Sequence, residues 1–354
     1  MHRYNRQTLL PQIGQAGQAR LRDSRVLLIG CGALGGHLAE QLVRSGVGHL
    51  RLVDRDIVEW SNLQRQVLFD EQDAREGLPK AIAAVTRLKK INSEVEIDPI
   101  VADVHAGNIE ELCHLDPSLR IQDSALRTQL LLDGTDNVQT RYLINDVAVK
   151  HSIPWIYGAC VGTEGRMMPI LPGVTPCLRC IFSEPPSAGE LPTCDTAGVL
   201  GPAAAVVAAM QAAAAIKILT GNLPAITHEL TQVDLWSHRF RSISVEDGRR
   251  SDCIACGQRQ FEFLADRSAE LATALCGRNA VQIRPPASSP IDLKSLAQRL
   301  SSAGEIDQTR YLLKCRLRED QTIQLTVFPD ARALIHGTSD PARARSIYAR
   351  YVGG

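Results

Sequence analysis

A glycine-rich hexapeptide, Gly30-Cys31-Gly32-Ala33-Leu34-Gly35, follows directly on the apolar run Arg25–Ile29. It precedes a segment that places Leu38, Leu42 and Val43 on one helical face. β-formers, then Gly-x-Gly-x-x-Gly, then helical periodicity describe the turn from a strand into a helix. There the glycines let the backbone approach an anion, and the helix start offers N–H groups with no partner of their own. A second apolar run, His49–Val53, ends in Asp54 and completes a βαβ unit of about thirty residues, whose parallel strands call for a right-handed crossover.

The same alternation continues downstream. The pattern predicts a helix over Lys80–Ile91, a strand over 94–101, a buried strand over Leu130–Asp133, a helix over Val138–His151 and a strand over 154–157. Strands alternating with helices define an α/β fold: a Rossmann-like, mainly parallel sheet with helices on both faces. Pro169, Pro172, Pro176, Pro185, Pro186 and Pro192 then punctuate a loop-rich crossing that carries Cys177, Cys180 and Cys194. An Ala-rich helix and a strand near 228–235 follow it.

From residue 258 the character changes. A proline-rich loop at 284–290 leads to a helix over Leu293–Leu300, strands over 311–317, 323–327 and 333–336, and a terminal helix over Pro341–Tyr351. The expected organisation is an α/β domain over 1–257 that carries the glycine loop and both CxxC pairs, and a small C-terminal α+β module over 258–354 with no assigned role. The length of 354 residues suits two domains of about 150 residues each.

Charge narrows the function classes. Thirty-nine basic residues balance thirty-nine acidic ones, which argues against a nucleic-acid surface or a polybasic membrane anchor. The polar N-terminus has no apolar leader pattern. Residues 198–219 imitate a membrane span in length, but Pro202, Gln211 and Lys217 interrupt them, and a buried core helix is the expectation. The chain reads as cytoplasmic. In a reducing compartment Cys177-x-x-Cys180 and Cys253-x-x-Cys256 point to metal before disulfide: four thiolates satisfy tetrahedral Zn²⁺, with a pair of redox sites as the alternative. Cys113, Cys160 and Cys315 read as core thiols, Cys31 as a packing residue of the loop, and Cys276 has no explanation.

Gly30, Gly32, Ala33, Gly35 and Asp54 fit an NAD enzyme as well as an ATP enzyme, since an acidic residue after the second strand can bind ribose in either. The residues that follow separate the two. Asp56, Ser61, Asn62, Arg65 and Lys80 supply polar groups and cations suited to a triphosphate, and a dehydrogenase has no use for such a set. Asp136, just past a strand's C-terminal end and next to Asn137, is placed to hold Mg²⁺.

The run Arg3-Tyr4-Asn5-Arg6-Gln7, the glycine loop, Ser61-Asn62-Leu63-Gln64-Arg65-Gln66, Pro79-Lys80, Thr135-Asp136-Asn137 and the two CxxC pairs resemble the MoeB/ThiF/HesA family, bacterial relatives of ubiquitin-activating enzymes. The resemblance covers residues 3 to about 257. It implies a homodimeric adenylyltransferase that uses MgATP to activate the C-terminal glycine of a ubiquitin-like sulfur carrier. Asp54 would bind ribose, Asn62, Arg65 and Lys80 the phosphates, and Asp136 the Mg²⁺. Arg6 would reach the triphosphate held by the partner subunit. Cys194 aligns with a cysteine used in some relatives for thioester or persulfide chemistry, and the sulfur donor would be a separate protein. The alternatives are a relative that adenylates a tRNA-bound or small-molecule carboxylate, and a non-catalytic scaffold.

Overall fold

A computed structural model of the chain describes residues 3–115, 127–186, 193–266, 272–275, 279–285 and 291–353. They divide into two compact units, one ending at Ala265 and one starting at Asp266. The first is built on an eight-stranded sheet: β1 (Arg25–Ile29), β2 (His49–Val53), β3 (Glu96–Ile100), β4 (Leu130–Asp133), β5 (Trp155–Val161), β6 (Glu164–Ile170), β7 (Glu229–Asp234) and β8 (Arg239–Ser244). The spatial order is β3-β2-β1-β4-β5-β6-β7-β8. The first five strands pair parallel and the last three add antiparallel.

Eleven helices accompany this sheet among the described residues: α1 (Asn5–Thr8), α2 (Gly14–Arg22), α3 (Ala33–Ser45), α4 (Glu71–Glu76), α5 (Lys80–Ile91), α6 (Ile109–Leu112), α7 (Val138–His151), α8 (Leu178–Ile181), α9 (Cys194–Ala197), α10 (Gly201–Leu219) and α11 (Glu262–Ala265). β1 shows how both faces are covered. Val26 and Leu28 join a core with Leu38 and Leu42 of α3 and Ala208 and Ala212 of α10. Leu27 and Ile29 point the other way, to Ile144 and Val147 of α7 and Leu264 of α11. A strand buried on both faces must read as a continuous apolar run, and Arg25–Ile29 does.

The expected mainly parallel α/β sheet with helices on both faces is present, and the predicted strands and helices differ from the observed ones by a few terminal residues. The proline-rich crossing, however, contains β6, which pairs with β5 along its full length. Pro169 sits where β6 has run past its partner β7, so its missing N–H breaks no bond on that side. The Ala-rich helix begins at Gly201 rather than at residue 198. It is long and apolar enough to cross a bilayer by length and composition, and half of it is buried. Here it packs on α3, β5 and β6 as a core helix.

The second unit carries β9 (Ala272–Leu275), β10 (Ala280–Ile283), β11 (Gly304–Gln308), β12 (Leu313–Leu317), β13 (Gln324–Val327) and β14 (Ala333–His336), in the order β11-β12-β13-β14-β10-β9 and antiparallel throughout. α12 (Leu293–Leu300) and α13 (Pro341–Tyr351) bury Leu293, Leu296, Leu300, Ala344 and Tyr348 in one core with Val281, Leu313, Leu325 and Ile335. Phe261 and Leu264 pack into the cores of the first unit.

Candidate functional site

The site lies where β1, β2 and β4 end, the edge at which open α/β sheets bind ligands. Gly30 takes φ +90°, which glycine adopts without strain. It meets Gly134 after β4 so closely that a methyl on either would lie within about 2.6 Å of the other's backbone oxygen. A methyl on Gly35 would come within 1.9 Å of the Gly30 oxygen. These three glycines let loop, helix and strand close on one another. Ala33 is the first residue of α3 and has no positive φ, so its methyl is accommodated. Gly32 precedes the helix as its cap residue, and no side chain caps the N-terminus of α3. The first-turn N–H groups are therefore suited to an anion.

Asp54, buried at the end of β2, is part of the loop's framework. Its Oδ2 accepts from the Cys31 N–H at 2.7 Å and its Oδ1 from the Asp56 N–H at 2.7 Å. Burial pushes the Asp54 carboxyl up, against the pull of Lys80. Each oxygen keeps a further lone pair to accept a hydrogen bond. Lys80, also buried, opens α5 and sends Nζ to within 3.2 Å of Asp56 Oδ2. Its own N–H donates to the Asp56 carbonyl at 2.9 Å, so α5 starts on the end of β2.

The Ser61–Gln66 stretch lies over the α3 N-terminus. A methyl on Gly32 would sit 3.7 Å from Gln66 Nε2, and one on Gly201, at the start of α10, 3.4 Å from Arg65 Cβ. Asn62 is buried and its Oδ1 accepts the Glu59 N–H at 3.1 Å. The Arg65 guanidinium donates to the Ser61 carbonyl at 2.8 Å, with Ser61 itself exposed.

Residues 133–137 form a tightly bonded turn. Asp133 is fully buried, and its Oδ1 accepts from both the N–H and the hydroxyl of Thr135 at 2.9 Å. Asn137 caps α7 by accepting the Thr140 N–H. Asp136 alone of these five is exposed. Arg141, on the first turns of α7, bonds Asp133 Oδ2 at 2.9 Å and the Thr135 carbonyl at 2.7 Å. Gln211, the polar break in the Ala-rich helix, donates to the carbonyls of Asp133 and Ile156 at 2.9 and 3.3 Å. Sequence reasoning passed over Asp133, Arg141 and Gln211; the available signals were a carboxylate ending a leucine run and a lone amide in an alanine helix.

Arg6 does not come to this site within its own chain. α1 docks at the far end of α3, where Gln7 donates to the Ser45 carbonyl at 2.9 Å. The thirteen residues of α3 put it about 20 Å from the glycine loop. Arg6 is exposed there beside exposed Leu9 and Leu10. Cys194 opens its own short helix, α9, instead of leading into α10. Its Sγ donates to the Cys160 carbonyl at 3.3 Å, and Cys160 is half-buried rather than deep in the core. Cys31, Cys113 and Cys315 are buried. Cys276 lies outside the described residues.

The four cysteines Cys177, Cys180, Cys253 and Cys256 converge, with all sulfurs within 4.8 Å of one another. Sγ separations are 3.9 Å (177–180), 3.6 Å (177–253) and 3.3 Å (180–256). Tetrahedral Zn²⁺ with Zn–S near 2.3 Å places sulfurs about 3.8 Å apart, so the donor set fits zinc. Hydrogen bonds from Cys177 and Cys256 hold the Cys180 thiol well below its ordinary range.

An uncapped helix start behind a glycine loop, a buried carboxylate at the end of the next strand, and the buried Lys80 beside it are the features of a nucleotide-binding enzyme of the doubly wound α/β class. A family model described as the ThiF family matches residues 4–255, and the chain belongs to that family. It is an adenylyltransferase. It is 44% identical over 352 residues to the sulfur carrier protein ThiS adenylyltransferase of Bacillus subtilis (strain 168), with 99% of each chain covered. It is 38% identical to the sulfur carrier protein adenylyltransferase of Thermus thermophilus, over 73% of this chain and 91% of that one. The crystal structure of E. coli MccB with ATP shares the fold, with a TM-score of 0.59 at 24% identity, over 72% of this chain and 74% of that one.

Proposed function

We propose that the protein adenylates the C-terminal glycine carboxylate of a ubiquitin-like sulfur carrier with ATP, releasing pyrophosphate, and so prepares the carrier for sulfur transfer into a cofactor, a thiolated tRNA or a metabolite. What supports this reading is that the glycine loop, Asp54 and Asp136 follow the ends of β1, β2 and β4, with Lys80 bonded to Asp56 beside them, in a ThiF-family chain. The B. subtilis relative, similar along its whole length, is named for such a carrier.

In this reading Asp54 takes the ribose hydroxyls, and the α3 N-terminus with Asn62, Arg65 and Lys80 takes the phosphates. Asp56 holds Lys80 in place, and the Ser61 carbonyl orients Arg65. Asp136 would hold Mg²⁺, which when bound would supply charge neutralisation at the phosphoryl oxygens. The carrier's carboxylate attacks the α-phosphorus in line, the bond to the bridging oxygen breaks, and pyrophosphate leaves. The protein contributes position and electrostatics rather than a covalent intermediate at this step. A homodimer in the cytoplasm would bring Arg6 of one subunit to the triphosphate held by the other; its distance of about 20 Å from the loop of its own chain and the exposed Leu9 and Leu10 beside it favour that arrangement. Cys194 is the candidate thiol for a later step in which sulfur arrives from a separate donor protein. Zn²⁺ on the four cysteines is structural.

ATP–pyrophosphate exchange with a panel of Gly-Gly-tailed carriers tests the reading. Exchange with one carrier and its loss in Asp136→Ala, with zinc and dimer intact, is the expected result. No exchange and no ATP binding would overturn it.

A further inference from the structure

We propose that Arg141 is a positioning residue for Asp136, acting through the turn that carries it; this rests on the reading of Asp136 as the metal-holding carboxylate. The guanidinium is largely buried and makes two directed bonds from one rigid plane, to Asp133 Oδ2 at 2.9 Å and to the Thr135 carbonyl at 2.7 Å. Its central carbon lies over the Tyr157 ring, 5.6 Å from the centroid, a cation–π contact that adds to the two bonds. The opposite side of the turn is held as well. Gln211 of α10 donates to the Asp133 carbonyl, the Gly158 N–H reaches Asp133 Oδ2 at 3.3 Å, and Thr135 bonds back to Asp133 Oδ1.

The turn is thus tied to α7, β5 and α10 together. The one side chain of residues 133–137 left exposed is Asp136. A buried ion pair such as Asp133–Arg141 is a poor source of net stability compared with apolar residues of the same shape. What it supplies is geometry, since a planar fork fixes a carboxylate and a carbonyl relative to each other in a way lysine cannot. Positioning of a metal-bearing carboxylate to within a fraction of an ångström governs the rate of phosphoryl chemistry, where misplacement by about 1 Å can cost about 100-fold.

The test uses the full-length, zinc-loaded protein and two substitutions. Arg141→Lys keeps the charge and loses the fork; Asp133→Asn combined with Arg141→Met removes both charges and remains available if the lysine variant fails to fold. Mn²⁺ binding in the presence of ATP, followed by electron paramagnetic resonance, is expected to weaken about 10-fold in either variant, while ATP binding without metal stays near wild type. kcat for ATP–pyrophosphate exchange is expected to fall by about 100-fold with an unchanged KM for the carrier. Adding Arg141→Lys to Asp136→Ala should weaken Mn²⁺ binding in the presence of ATP no further than Asp136→Ala alone, because the two act as one unit. A folded variant that binds Mn²⁺ with ATP as tightly as wild type, or losses that simply multiply in the double variant, would overturn the proposal. If wild type shows no exchange with any carrier but the Mn²⁺ shift is seen, the adenylation reading fails and the clamp stands.

Discussion

Lys80 reaches back over the end of β2 and places its ammonium nitrogen 3.2 Å from Oδ2 of Asp56, a residue contributed by the segment on which its own helix starts. The cation is buried and held before any nucleotide arrives, so its ordering cost falls outside the reaction. Lys80→Ala should lower kcat for ATP–pyrophosphate exchange by about 100-fold or more, as loss of a preorganised charge contact does. Asp56→Asn should act more mildly and mainly on the KM for ATP. Steady-state exchange at varied ATP distinguishes them, and equal effects on both constants would show that Asp56 does more than hold the lysine.

The proposed dimer gives Arg6 a test of its own. Arg6→Ala and Asp136→Ala should each be inactive alone. Mixed after reversible dissociation, they should regain part of the exchange activity, because one site of each heterodimer then has every residue it needs. An arginine acting within its own chain would give no recovery on mixing.

The cysteine cluster should hold about one zinc per chain, read by atomic emission. Cys253→Ser should lose the metal and lower the thermal midpoint. Chelation of the wild type should do the same, with faster loss at lower pH as thiolates protonate. Retention of metal and midpoint by Cys253→Ser would remove Zn²⁺ from the account.

Asp146 gives a pH prediction. It is buried on α7, and its Oδ2 accepts the Phe263 N–H at 2.9 Å at the start of α11. Oδ1 has no hydrogen-bond partner among the described residues. Burial raises the carboxyl to about 6, with Glu262 adding to the rise and Arg179 and the α11 N–H groups opposing it. A raised carboxyl means the folded state binds the proton more tightly than the unfolded one, so stability is greatest below the unfolded pKa and is lost as pH rises through about 6. The contribution lost between pH 4 and 7 is about 2 kcal/mol. Urea unfolding across that range should show the difference between wild type and Asp146→Asn narrowing and then reversing sign or flattening as pH rises; a difference independent of pH would show that Asp146 does not titrate there.

The fold's parallel half was legible because β1 and β4 are apolar runs buried on both faces, and the turn after each carries glycine. Leu130–Asp133 and Val138–His151 needed no tertiary information. The antiparallel half was harder. β6 contains Pro169, a breaker in isolation, and its tolerance depends on where the neighbouring strand stops. β8 is exposed along its length and has no core pattern to betray it. In the site, the glycines and Lys80 stood out through their spacing. Arg141 and Gln211 did not, because their role is to bond backbone carbonyls, and nothing in local sequence says which carbonyl a side chain will meet.

The four-cysteine cluster has a consequence for how the chain reaches this state. A metal bound there joins two points separated by 72 residues of chain, turning the crossing, α10 and the β7–β8 hairpin into a closed ring. Such a ring begins with much of its loop-closure entropy already surrendered, so the antiparallel strands search for their partners over a small volume. Metal supply would then govern the yield of folded enzyme, and scarcity would show first as chain lost during synthesis rather than as slower catalysis by what remains.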